Sequence, residues 1–138
     1  MHLADTSLLI NAAHAGPARD WLRDAATKAR VALCDMVVTE YLRGARDADE
    51  YHAFEQSLRA YPWLRIEPAD WERALEVSRQ LAAVSAGYHR GVPIPDLLIA
   101  AVAERHGATL AHDDADYERI AAITGQALLR LGRQDASR

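Results

Sequence analysis

The segment PDLLIAAVAERHGATLAHDDADYERIA, residues 95–121, shows most clearly how the chain folds. Its first part is apolar nearly all round from Leu97 to Ala103, which predicts a helix buried on every side. ATLAH (108–112) then predicts a short buried strand, and DADYERIAAITG (114–125) predicts a second helix. Short apolar strands that alternate with helices are typical of βαβ units, so this segment indicates an α/β fold.

The rest of the chain continues the same alternation. Helices are predicted around 17–28, 35–45, 47–61 and 68–87, the second with Asp35 as its N-cap. Further strands are predicted at 2–5, 30–34, 63–67 and 126–131. The pattern therefore predicts one α/β domain, with a parallel central sheet of about five short strands and helices on both faces. We expect this domain to cover residues 1–131 and residues 132–138 to form a loose tail.

Composition places the protein among compact globular chains. Its 138 residues fit one domain, half of them are hydrophobic and 26% are charged, which argues against disorder. No apolar run approaches the roughly 20 residues that span a bilayer, and the N-terminus lacks the basic flank of a signal peptide. The single cysteine, Cys34, excludes an internal disulfide and fits a reducing compartment. We therefore expect a cytoplasmic protein that does not enter a membrane.

Five acidic residues stand where an α/β fold gathers its ligand sites. Asp5 ends the first strand, and Asp114 and Asp116 follow the fourth. Asp96 opens the buried helix, and Glu40 lies on the largely apolar stripe of another helix. Ligands in open α/β sheets bind at the carboxyl ends of the strands. These acids are therefore expected to converge.

Each acid taken alone has a purely structural explanation. Asp5 and Asp114 could cap the helices that follow them, Asp96 could favour the positive end of its helix dipole, and Glu40 could reach water at the rim of the core. Together, however, these acids have no matching set of cations nearby, and an unpaired buried carboxylate is costly.

Bound hard cations explain the joint pattern best. Oxygen ligands suit Mg²⁺, or alternatively Mn²⁺, and do not suit zinc. Such a site hydrolyses phosphodiesters with metal-activated water and needs no serine or histidine nucleophile. The net charge of −4 does not exclude a nucleic-acid substrate, because these acids would be neutralised and all but one of the 16 basic residues are arginine.

Other folds that handle phosphate fit the sequence less well. A receiver domain needs a lysine late in the chain, and the only lysine is Lys28. A phosphatase of the haloacid-dehalogenase kind needs a second aspartate two residues after the first, where this chain has Ser7. The segment after the first strand also lacks the glycine-rich loop of a nucleotide-binding fold.

Four segments carry a family resemblance: ADTSLLI (4–10), VVTEYLRGA (37–45), VPIPDLLIAAVAERHGATLAHDDADYERIA (92–121) and TGQALLRL (124–131). They resemble PIN-domain ribonucleases of the VapC toxin type, and the match runs from Leu3 to about Leu131. The resemblance implies a PIN domain over 1–131 in which Asp5, Glu40, Asp96 and Asp114 are catalytic. It implies metal ligation by Asp5, Asp96, Asp114 and Asp116. The hydroxyl that often follows the first aspartate in this family matches Thr6 or Ser7, and we expect Thr6 to orient a carboxylate or a water.

The resemblance also implies a biological role. Such toxins are Mg²⁺- or Mn²⁺-dependent endoribonucleases that cleave structured RNA, often transfer or ribosomal RNA. They are usually homodimers, neutralised by a VapB-type antitoxin whose C-terminal segment lies across the pocket. Arg43 and Arg90 could hold RNA phosphates, and Tyr88 could stack on a base. Two alternatives stay open: a non-catalytic PIN-like module that binds RNA or protein, and a nuclease directed at DNA.

Overall fold

The computed structural model of the protein describes residues 1–133, so most of the predicted tail, from residue 134 onward, lies outside the described residues. The strands are β1 (His2–Ala4), β2 (Val31–Cys34), β3 (Trp63–Leu64), β4 (Thr109–His112) and β5 (Leu128–Arg130). The helices are α1 (Thr6–Ala12), α2 (Pro17–Thr27), α3 (Asp35–Arg43), α4 (Ala48–Leu58), α5 (Pro68–Val84), α6 (Ile94–Arg105) and α7 (Ala115–Thr124). A 3₁₀ turn, Tyr88–Gly91, precedes α6.

The five strands form one parallel sheet in the order β3-β2-β1-β4-β5. Leu3 of β1 pairs with Ala32 on one side and with Leu110 on the other. The predicted α/β class and five-stranded parallel sheet are therefore confirmed. Because β1 lies between β2 and β4, the residue that follows β1 lies beside the residues that follow β4. Asp5 shows this directly, since its N–H donates to the carbonyl of Ala111 at 2.9 Å.

Helix α6 forms the centre of the core. Its residues from Asp96 to Ala103 are all buried, and Leu98, Ile99 and Val102 have no exposed surface. The helix packs against α5, α7, α3 and β4. A helix surrounded in this way must be apolar all round, which explains the sequence pattern that predicted its burial.

An ion pair joins the end of α6 to the start of α5. Arg105 donates from Nε to Asp70 Oδ1 at 2.9 Å and from Nη2 to Asp70 Oδ2 at 3.0 Å. Asp70 is only 1% exposed, and it also accepts the N–H of Glu67 at 2.8 Å in the capping box of α5. Its burial is therefore compensated by both a charge and a backbone donor.

The structure differs from the sequence-based prediction at Asp35. This residue is the first residue of α3 and Cys34 is the N-cap, so the predicted capping role was wrong. The carboxylate of Asp35 instead accepts the N–H of Ile66 at 3.1 Å and Nε of Arg65 at 3.2 Å. The side chain is thus used to hold the segment after β3, which local sequence does not reveal. Within residues 1–133, no helix combines the length and apolarity needed to cross a bilayer.

Candidate metal centre

Asp5 is fixed at the end of β1 by three hydrogen bonds. Its Oδ2 accepts from the N–H of Ser7 at 3.0 Å and from Ser7 Oγ at 2.6 Å, and its Oδ1 accepts from the hydroxyl of Tyr117 at 2.6 Å. The residue is 5% exposed and is the N-cap of α1. Ser7 engages Oδ2 and Tyr117 donates one hydrogen bond to Oδ1, so the carboxylate keeps acceptor sites, and its capping role does not prevent it from binding a cation.

Asp96 enters the same pocket from the first turn of α6 and is 7% exposed. Its Oδ1 lies 3.4 Å from the hydroxyl of Tyr117. Its Oδ2 is fully buried and has no hydrogen-bond partner among residues 1–133. A buried carboxylate oxygen without a donor indicates that a ligand completes its environment.

Asp114 and Asp116 complete the cluster from the start of α7. Oxygens of Asp96, Asp114 and Asp116 all lie within 4.8 Å of one another. Asp114 is the N-cap of α7, and its Oδ1 accepts the N–H of Asp116 at 2.9 Å. Asp113 is half-buried and accepts hydrogen bonds from Asn11 and Arg130, at 2.9 and 3.0 Å. The turn after β4 thus directs Asp113 away from the cluster and Asp114 into it.

Glu40 borders this pocket from α3. Its Oε1 accepts a hydrogen bond from Thr6 Oγ1 at 3.2 Å. Burial raises the pKa of Glu40, the charge of Asp5 raises it further, and the Thr6 hydroxyl and Arg43 oppose this rise. The structure therefore brings Asp96, Asp114 and Asp116 into one cluster, with Asp5 joined to them through Tyr117 and Glu40 at the border.

The electrostatics of the pocket are those of an uncompensated acidic site. Burial raises the pKa of Asp96 to about 8, helped by the negative charges of Asp5, Asp114, Asp116 and Glu40. Burial and the charge of Asp114 likewise raise the pKa of Asp116. A cation would allow all these carboxylates to ionise together. The oxygen-only donors and the unpartnered Oδ2 of Asp96 fit a hard divalent ion such as Mg²⁺ or Mn²⁺.

Polar groups behind the acids hold them in place through hydrogen bonds. For two of these groups, His112 and Tyr117, the sequence patterns predicted no such role. His112, fully buried, accepts the N–H of Asp114 at its Nδ1 at 3.0 Å, and burial lowers its pKa. Burial raises the pKa of Tyr117 well above its ordinary value, so its hydroxyl stays protonated and can donate. Ser7 bonds Asp5 and also accepts the N–H of Asp113 at 2.9 Å. A hydroxyl two residues after an aspartate is a local signal for Ser7, whereas no local signal connects Tyr117 with Asp5.

Two arginine side chains lie beside acids of the pocket, and a third is exposed on the 3₁₀ turn that precedes α6. Arg43 is exposed, and its charge acts on Glu40. Arg90 is exposed on the 3₁₀ turn, and within the described part of the chain it makes no ion pair with the acids. Arg119 was not predicted: its guanidinium lies 5.6 Å from the ring centre of Tyr88 and 3.6 Å from Asp116 Oδ1. Arg43 and Arg119 thus present positive charge beside two of the acids, Glu40 and Asp116.

Comparison with known proteins agrees with this geometry. The family profile described as PIN domain matches residues 3–123. The chain is 40% identical over 122 residues to Ribonuclease VapC18 of Mycobacterium tuberculosis, covering 88% of each chain. It is 37% identical to Ribonuclease VapC51 of the same organism, covering 91% of this chain and 88% of the relative.

Solved structures show the same fold at much lower identity. The crystal structure of VapBC2 from Rickettsia felis, bound to a DNA fragment from its promoter, superposes with a TM-score of 0.75 at 18% identity. The match covers 94% of this chain and 98% of that chain. On the strength of the profile match and the relatives at about 40% identity, the chain belongs to the PIN domain family, within its group of VapC-type toxins.

Proposed function

We propose that this protein is the toxin of a toxin–antitoxin pair and a Mg²⁺- or Mn²⁺-dependent endoribonuclease that acts on structured RNA such as transfer or ribosomal RNA. The observation that carries the proposal is the cluster of Asp96, Asp114 and Asp116, in which the buried Oδ2 of Asp96 has no hydrogen-bond partner among residues 1–133. The similarity to proteins named VapC ribonucleases supports RNA as the substrate.

Each acid has a distinct part in this proposal. Asp5, Asp96, Asp114 and Asp116 would hold the cation, which supplies Lewis-acid chemistry by neutralising phosphate charge and lowering the pKa of water. Thr6 occupies Oε1 of Glu40, so the second oxygen of Glu40 is available to orient a water and accept its proton. The water oxygen forms a bond to phosphorus as the bond from phosphorus to the leaving ribose oxygen breaks.

The RNA backbone is proposed to lie across the rim of the pocket. Arg43 on the Glu40 side and Arg90 on the 3₁₀ turn are exposed, make no ion pair among residues 1–133, and are proposed to bind phosphates. Arg119, between Tyr88 and Asp116, adds a third cation near the cluster. Flexible loops of structured RNA suit such a surface, because their unpaired bases can splay out while phosphates meet arginine.

The antitoxin is proposed to bind in a groove next to the acids. A cavity of about 240 Å³ opens between α1, α3 and α4, and its walls include Ile10, Tyr41, Phe54 and the carboxylate of Glu40. Ile10 is 47% exposed there. A VapB-type segment that covered this groove would also restrict access to Glu40. Solved neighbours include a toxin–antitoxin complex from Klebsiella pneumoniae, which supports such a partner.

The expected homodimer also stays a proposal. Helix α5 exposes Trp71 at 49% and Leu75 at 65%, one turn apart. Large apolar side chains exposed side by side are typical of surfaces that pair with another protein. The cytoplasmic location expected from the sequence remains a prediction.

A cleavage assay on total bacterial RNA tests the proposed activity. Wild-type protein is incubated with Mg²⁺ or Mn²⁺, or with EDTA, and compared with Asp96→Asn and Asp49→Asn. Asp49 is a matched control, because it also lies in the first turn of a helix but is exposed and outside the cluster. We expect discrete fragments from wild type and Asp49→Asn in metal, and none in EDTA or from Asp96→Asn.

Other outcomes distinguish the alternatives. Fragments that persist in EDTA or with Asp96→Asn would contradict the metal site. Failure to cut RNA while single-stranded DNA is cut would favour a DNA-directed nuclease. Metal binding without cleavage of either polymer would favour a non-catalytic binding module.

A further inference from the structure

We propose that Tyr117 is a positioning residue that sets the affinity of the pocket for its cation. Its buried hydroxyl holds the carboxylate of Asp5 in place next to that of Asp96. This inference rests on the metal site proposed above and concerns how that site is built. Tyr117 lies on α7, three residues after Asp114.

The hydroxyl occupies the junction of three elements. It donates to Asp5 Oδ1 at the end of β1, at 2.6 Å, and lies 3.4 Å from Asp96 Oδ1 at the start of α6. Asp114 is the N-cap of α7 and Asp116 lies in its first turn, and the same helix carries Tyr117. The Tyr117 hydroxyl therefore lies between Asp5 and Asp96, the two proposed ligands outside α7, and its own helix carries the other two.

The surroundings of Tyr117 require its hydroxyl as well as its ring. Tyr117 has no exposed surface and its ring packs edge-on against His112, with centres 5.2 Å apart. A phenylalanine would keep that packing. It would leave Asp5 Oδ1 without its donor, and a buried carboxylate oxygen without a donor is unstable in its position.

The hydroxyl has only one proton to donate, which separates the roles of the two carboxylates. The shorter contact assigns that proton to Asp5, whose other oxygen is held by Ser7. Both oxygens of Asp5 are thus restrained, while Oδ2 of Asp96 has no partner among the described residues and is left for a ligand. Groups that hold metal ligands from behind in this manner typically contribute strongly to metal affinity.

Binding of Mn²⁺ alone, measured on the full chain without RNA, tests the inference. Free Mn²⁺ is followed by electron paramagnetic resonance during titration of wild type, Tyr117→Phe and Tyr61→Phe. Tyr61 is a matched control, since its ring packs against the core and its hydroxyl makes no hydrogen bond within residues 1–133. We expect the dissociation constant of Tyr117→Phe to rise roughly 10- to 100-fold, with Tyr61→Phe unchanged.

A second readout separates positioning from packing. Cleavage by Tyr117→Phe should require more Mn²⁺ but recover most of its kcat at saturating Mn²⁺, while circular dichroism without metal shows the same fold as wild type. Equal Mn²⁺ affinity in Tyr117→Phe and wild type would overturn the inference and leave the metal site standing. Loss of the fold in Tyr117→Phe would also overturn it, and wild type that binds no Mn²⁺ would overturn both proposals.

Discussion

Asp96 and Asp114 present carboxylate oxygens within 4.8 Å of each other, although one stands in the first turn of α6 and the other caps α7. Two ionised carboxylates at this separation repel, and the burial of Asp96 strengthens the repulsion. In the absence of metal, repulsion between these carboxylates therefore destabilises the folded protein, and a divalent cation removes this destabilisation. The free energy of unfolding should consequently depend on both the pH and the presence of a divalent metal ion.

The stability of the metal-free protein should fall as pH rises from about 4 to about 8. The pKa of Asp96 is raised from 3.8 to about 8 in the folded protein, so the folded state binds more protons than the unfolded state between these values. The unfolding free energy then decreases with pH across this window. Since a pKa unit corresponds to about 1.4 kcal/mol and the pocket can relax, we expect a loss of about 2–3 kcal/mol between pH 5 and 8.

Urea unfolding in EDTA, repeated with Asp96→Asn, measures this dependence. In Asp96→Asn, most of the decrease in unfolding free energy with rising pH should be absent. The variant should also be more stable than wild type at pH 8 without metal. Added Mg²⁺ or Mn²⁺ should restore the wild type at pH 8 and have little effect on the variant. A wild-type stability that rises between pH 5 and 8 in EDTA would contradict the electrostatic account of the pocket.

Removing the Asp70 carboxylate should destabilise the protein without impairing cleavage. Burial raises the pKa of Asp70, but the hydrogen bonds from Arg105 and from the Glu67 N–H outweigh this and leave its pKa below the ordinary value. Asp70→Asn removes the two-point ion pair of Arg105, which then keeps, within residues 1–133, only the longer ion pair with Glu67 Oε2 at 3.5 Å. Arg105 is partly exposed and can be rehydrated. We therefore expect a loss of about 2–3 kcal/mol in urea unfolding.

The control for Asp70→Asn is a substitution in an exposed ion pair. Asp24→Asn breaks the contact of Asp24 with Lys28, in which both side chains are exposed, and should cost at most about 0.5 kcal/mol. Arg105 lies nine residues beyond Asp96, roughly 13 Å along α6, so kcat should be preserved in both variants. Loss of cleavage in folded Asp70→Asn would show that this end of α6 takes part in the reaction.

Replacing Arg119 by alanine should weaken RNA binding more than it slows chemistry. The side chain lies between Tyr88 and Asp116 at the rim, where it could meet a phosphate next to the cleaved one. Loss of one charge-assisted contact corresponds to about a tenfold rise in KM. Steady-state cleavage at two salt concentrations measures this, with Arg23→Ala as an exposed control on α2. Unchanged KM would exclude Arg119 from the RNA surface.

Removing the hydroxyl of Thr6 should shift the acidic limb of the pH–rate profile to higher pH. The hydrogen bond from Thr6 opposes the rise in the pKa of Glu40 that burial and Asp5 cause. Without it, the pKa of Glu40 rises further, so a higher pH is needed for Glu40 to be ionised and accept a proton. Thr6→Val is compared with Thr6→Ser, which keeps the hydroxyl and should retain the wild-type limb. Coincident limbs in the two variants would argue against Glu40 as the proton acceptor.

The architecture was predictable from local sequence patterns because the hydrophobic pattern of each helix or strand reflects which of its faces are buried. The run from Leu97 to Ala103 is apolar on all sides because α6 is packed on all sides. The strand segments predicted at 108–112 and 30–34 became β4 and β2, each shortened by its first residue. Asp35 was misassigned because an aspartate before an apolar stripe looks the same whether it caps its own helix or, as here, holds the N–H of Ile66.

The candidate site was predictable only as a set of residue types at strand ends. The sequence by itself determined the α/β class, the order of elements along the chain, and the acids that follow β1 and β4, since these depend on short-range periodicity and spacing. Only the tertiary structure decided that Tyr117 donates to Asp5, 112 residues away, and that Arg119 lies over Tyr88. The physical reason is the strand order: with β1 placed between β2 and β4, residues distant in the chain meet at one edge of the sheet, and no local pattern encodes which of them touch.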